Sequence, residues 1–234
     1  MPADDYVLVQ GVRATRGTLE RWQSQPWPVL RRWLVLSLAI ALALLAAVTV
    51  VSLVATPDPT PFYVPGLDAS ADLGDLAWIL AGNGLVLALH ALACVAGFIA
   101  GSSMRLEAER RTGFSRQVHE KAGAIAIAWV GLVTIFSLVT QAYILGSIGA
   151  DLSFSLAISP ETLVLTVLPH AVPELVALFL PLAAWLVASR RDEWDQLLAA
   201  TFVTVAISVP LLIVCAVLEI TLWPQLLESV SPVA

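Results

Sequence analysis

WLVLSLAIALALLAAVTVVSLVA, running from Trp33 to Ala55, is a stretch of 23 residues without a charge, entered through Arg31 and Arg32 and followed by Pro57, Pro59 and Pro61. At about 1.5 Å of rise per helical residue it reaches across the roughly 30 Å hydrocarbon core of a bilayer. Four further runs of the same kind follow, at 76–101, 123–149, 161–189 and 196–223. The residues are 59% hydrophobic and only 13% charged, which excludes a soluble domain of this length. The expected fold class is therefore all-α: a polytopic helical membrane bundle of about five transmembrane helices.

The basic residues orient these spans. Arg13, Arg16, Arg21, Arg31 and Arg32 precede the first; Arg105, Arg110, Arg111, Arg116 and Lys121 lie between the second and third; Arg190 and Arg191 lie between the fourth and fifth. Those are all twelve. Under the positive-inside rule these segments are cytoplasmic, which places 56–75, 150–160 and a tail at 224–234 outside. The outer segments carry Asp58, Asp68, Asp72, Asp75, Asp151 and Glu228 and no Lys or Arg. The expected location is the inner, cytoplasmic membrane, multi-pass, with the N-terminus inside and the C-terminus outside.

Outside the five-span domain, 33–223, residues 1–32 interleave aromatic and leucine residues with arginines. This pattern predicts an amphipathic helix around 12–24 lying in the inner headgroup region. The first span is too long and too far from the N-terminus for a signal peptide and is expected to remain as an anchor. The proline-rich outer loop 56–75 reads as a stiff connector. The densely charged inner loop 102–122, which holds His119, is the surface where a soluble protein partner is first expected. Cys94 and Cys215 each fall inside a span and read as small apolar fillers. A net charge of −6 with no basic stripe on a soluble domain gives no nucleic-acid footprint. The partners expected are the lipid bilayer and protein subunits of a membrane complex, a second copy of the chain among the candidates.

The chemistry concentrates in the fourth span, in Leu168-Pro169-His170-Ala171-Val172-Pro173-Glu174-Leu175. A rise of about 1.5 Å per residue from Glu161 puts His170 and Glu174 near the bilayer midplane, where an ionisable side chain costs several kcal/mol unless partnered. Spaced four apart, they share one face of a helix and could pair. Pro169 and Pro173 each remove a backbone donor, so a break or kink is expected near 168–173, with Glu174 at the start of a new half-helix.

His90 and Asn83 in the second span and Gln141 in the third are the candidate intramembrane partners of this motif. Two readings of it stand: a buried polar lock that fixes helix packing, or a polar site of the kind that transporters build at broken helices. His90, His170 and Glu174 could also supply three metal ligands, though no spacing requires it, and no metal or cofactor is expected. No H-E-x-x-H, no G-x-S-x-G and no phosphate-binding glycine loop occurs, so no catalytic residues are assigned.

The segment Leu168–Ala177 resembles the P-H-G-x-x-E-L motif of the stage II sporulation protein M family. Asn83-Gly84-Leu85, with Gly97 and Gly101 beyond it, is similar to the family's earlier asparagine-and-glycine span. Gln141-Ala142-Tyr143-Ile144-Leu145-Gly146 stands where the family has an asparagine–glycine pair, so the resemblance extends over about 75–225. Ala171, Gln141-Ala142, Pro181 and Trp185 depart from the pattern; His170 and Glu174 keep it. The resemblance implies an integral membrane protein of bacteria without known catalysis. In spore formers such a protein helps assemble peptidoglycan-degrading enzymes; relatives in other organisms are often encoded beside MoxR-type ATPases.

The expected function is that of a non-catalytic scaffold or subunit of an inner-membrane complex linked to cell-envelope or peptidoglycan remodelling. The alternative is a channel, transporter or permease subunit using the fourth span. A membrane enzyme ranks below both.

Overall fold

The computed structural model describes residues 7–58, 63–67, 69–103, 112–114 and 121–233. Six α-helices follow in order among them: α1 (Val7–Ser24), α2 (Pro26–Val54), α3 (Leu73–Phe98, continued by a π turn at Ile99–Ser103), α4 (Ala122–Ser155), α5 (Pro160–Arg191) and α6 (Leu197–Val230, entered through a 3₁₀ turn at Trp194–Gln196). The last five are long and apolar enough to cross a membrane, and the class is an all-α helical membrane bundle. Of these, α5 is the most enclosed, whereas the most apolar stretch of α4 has no buried residue. Most of the inner loop 102–122, with His119, lies outside the described residues.

The chain divides into two compact units, and each long helix contributes residues to both. Unit 1 comprises Met1–Ser37, Val86–Val133 and Leu178–Ser208. In it α1 ends at Ser24, whose hydroxyl donates back to the Arg21 carbonyl, and α2 starts at Pro26, a first-turn position where the missing N–H costs nothing. The turn brings Trp22 edge-on to Trp33, with ring centroids 5.3 Å apart. Trp33 then packs with Leu180, Ala183, Ala184 and Ala200. Gly101 faces the indole of Trp194, where a Cβ would overlap the ring. That indole is held by its own N–H, which donates to Asp192 Oδ1 at 2.6 Å. Asp192 ends α5 in the left-handed region (φ 59°), with Glu193 N–H donating to the Ala188 carbonyl, a Schellman closure.

Unit 2 comprises Leu38–Leu85, Thr134–Ala177 and Val209–Ala234. Ser52 donates to the Gly146 carbonyl at 2.8 Å and joins α2 to α4. The end of α4 repeats the Schellman pattern, with Ala157 at φ 53° and Ile158 N–H donating to Ser153 O. The outer loop is more than a connector. Val64, 2% exposed, packs with Leu152, Leu156, Leu163 and Leu227. Gly66 follows at φ +85° against α6, where an added Cβ would lie 2.7 Å from Pro224 Cγ and 3.0 Å from the Ile220 carbonyl. Pro224 has no N–H, so helical bonding leaves that carbonyl without its usual donor.

The segment from 224, expected outside the membrane, is helical as far as Val230; Leu227 packs in the Val64 cluster and Ser231 donates to the Leu156 carbonyl at 2.8 Å. Of the break or kink expected at 168–173, the break is absent: α5 is helical throughout Pro160–Arg191. Each proline deletes one backbone bond and leaves those on either side. In a helix enclosed by neighbours this is tolerated without a break.

Candidate functional site

The site grows from one face of α5 in unit 2. Thr166, His170 and Glu174 follow at intervals of four residues and so stack along that face. Thr166 donates to the Leu163 carbonyl at 2.7 Å and accepts the Trp223 indole N–H at 3.1 Å. This fixes the indole from α6 beside the imidazole of His170, with ring centroids 5.7 Å apart and planes tilted by 57°. His170 is 7% exposed.

His170 and Glu174 share the face without pairing. Among the described residues no hydrogen bond or ion pair joins them, and the specific contact of His170 is the one with the Trp223 ring. Glu174 instead has two polar neighbours from other helices. One is Asn83 of α3, whose amide nitrogen is buried without a well-formed hydrogen bond. The other is Glu219 of α6, which lines the same cavity. Pro169 is exposed and Pro173 half-buried, so they shape the backbone and leave the polar work to their neighbours.

His170, Glu174 and Glu219 line one cavity of about 260 Å³, whose remaining wall is largely apolar and comes from α2, α4, α5 and α6. Ala171 and Ser52 also face it, but the Ser52 hydroxyl is engaged with Gly146. None of the twelve Lys and Arg residues falls in 38–85, 134–177 or 209–234, so the carboxyls of this unit find no lysine or arginine within it.

The other two candidates spend their polar atoms elsewhere. His90 belongs to unit 1, where its Nδ1 lies 2.8 Å from the Leu178 carbonyl and its ring packs on Phe179. Gln141 donates to Ser137 Oγ on its own helix at 2.9 Å and does not line the cavity. Among the described residues no group of three His, Cys, Asp or Glu side chains could hold a metal ion, which removes the His90–His170–Glu174 triad.

Glu219 and Trp223 are the members to which sequence reasoning assigns no part in the site. Their signal was available: they too are four residues apart and share a helix face, as His170 and Glu174 do.

Comparison with known proteins places this face in a familiar setting. No curated protein matches the chain, and no solved structure does. A family model does match, over residues 121–222, which cover α4, α5 and most of α6 but not the α3 residues included in the wider resemblance. Through that stretch, which holds His170, Glu174 and Glu219, the chain is similar to the Stage II sporulation protein M family, a family of membrane proteins, as the Leu168–Leu175 motif implied.

Proposed function

We propose that this chain is a non-catalytic, membrane-embedded subunit that organises a protein complex of the inner membrane, with its N-terminus inside the cell and its C-terminus outside. The observation that carries the reading is the cavity of unit 2, where His170, Glu174 and Glu219 gather in a unit devoid of Lys and Arg. A carboxylate at membrane depth is costly without a counter-charge, and one absent from the unit is supplied most simply by a basic residue of a partner. The family likeness supports a role in cell-envelope or peptidoglycan remodelling. The inner loop 102–122 is a second place for a partner, and a homo-oligomer is compatible with both surfaces.

The experiment combines Glu174→Gln with Glu219→Gln and compares complex size in native membranes with solute and ion flux in proteoliposomes. A complex that falls apart while flux is unchanged supports the subunit. An intact complex whose flux is lost overturns it and favours the second reading, a channel or permease subunit, for which the same cavity would be the polar site.

A further inference from the structure

Unit 1 contains two cavities that meet at a pair of tryptophans. One, about 240 Å³, is lined by Arg32 of α2 and Arg191 at the end of α5, with Glu193 and Gln196 beside them. The other, about 280 Å³, runs between Leu19, Pro26, Leu30 and Phe202. Trp22, Val29 and Trp33 line both.

Among the described residues neither Arg32 nor Arg191 makes a hydrogen bond or an ion pair, and Glu193, the carboxylate in the wall, pairs with neither. The carboxylate of Asp192 is taken up by Trp194. Two guanidinium groups from different helices, lining one cavity without a counter-ion among the described residues, offer the paired N–H donors that phosphate oxygens accept. A free phosphate would share that chemistry but would leave the adjoining cavity unused. That cavity has an apolar wall built from α1, α2 and α6, the surroundings an acyl chain requires. Tryptophans where the two meet suit the boundary between headgroup and hydrocarbon.

We propose that unit 1 binds one anionic phospholipid, with its phosphate between Arg32 and Arg191 and an acyl chain in the pocket alongside Trp22 and Trp33. The site is independent of the unit 2 cavity and of the subunit role. It makes α1 part of a lipid clamp, since Trp22 and Leu19 close the acyl pocket from the N-terminal helix.

Native mass spectrometry of the full chain in mild detergent, offered equal phosphatidylglycerol and phosphatidylcholine, tests the site. The expected result is one retained phosphatidylglycerol. The Arg32→Gln/Arg191→Gln double variant should lose the preference by roughly 25-fold, at about fivefold per basic residue. Val203 lines the acyl pocket, so Val203→Phe, which fills it and keeps both arginines, should also weaken retention, and glycerol phosphate should fail to displace the lipid. Gel-filtration profiles matching the wild type establish that the variants are folded. Equal retention of the two lipids, or a double variant that keeps the preference, overturns the site. Glycerol phosphate binding as tightly as lipid, with Val203→Phe silent, overturns its assignment to a lipid.

Discussion

The indole N–H of Trp223 donates to Thr166 Oγ1 at 3.1 Å, one helical turn before the imidazole that the same ring covers. A side-chain bond between α5 and α6 therefore sets the wall of the cavity. Thr166→Val keeps the shape and leaves the indole N–H without its partner in an apolar setting. The expected loss is about 1–2 kcal/mol, read as a lowered Tm in detergent. In Trp223→Phe the same Thr166→Val change should cost clearly less, which a double-mutant cycle measures directly.

Gly66 sits at φ +85° with α6 directly against it. Gly66→Ala meets both a disfavoured backbone region and Pro224, so a loss above about 2 kcal/mol is expected. Gly82 in α3 has open space where its Cβ would go. Gly82→Ala should be neutral or raise stability by up to about 1 kcal/mol, so the two alanine variants should move Tm in different directions or by very different amounts.

Ala157 closes α4 in a left-handed conformation that L side chains adopt at a cost. Glycine is the usual residue there, and Ala157→Gly should stabilise by about 0.5–1 kcal/mol despite the greater freedom of glycine in the unfolded chain. A Tm below the wild type would count against the left-handed closure.

Cys94 and Cys215 are both fully buried, and the Cys94 thiol lies 3.2 Å from the Pro181 carbonyl. N-ethylmaleimide should label neither in the folded protein and both after denaturation in SDS. Rapid labelling of Cys94 in the native state would place α3 and α5 further apart than described.

The spans and the family likeness were legible because both rest on one-dimensional signals: uncharged runs long enough for a bilayer, and an eight-residue motif. The cavity was not legible. Glu219 lies one turn from Trp223 and Pro224, a position along the span that by sequence alone reads as open to water at the membrane surface. Only the packing of α6 on α5 turns it toward Glu174. Gln141 was expected to reach another helix, because an amide in hydrocarbon needs partners, yet Ser137 one turn earlier satisfies it locally. The interruption expected at Pro169 and Pro173 followed from local geometry, which says nothing of how closely neighbouring helices surround α5.

The burial of Leu227 and the placement of Trp223 bear on how this chain can be divided. The stretch similar to known proteins stops at residue 222, just short of the ring that covers His170 and five residues before the leucine that meets Val64. Excised at those limits, the segment would keep His170, Glu174 and Glu219 but lose one wall of their enclosure, the plug that the outer loop forms, and Asn83. The recognisable region thus holds only part of the enclosure around its own polar residues, and a version that keeps the enclosure carries α2, α3 and the last turns of α6.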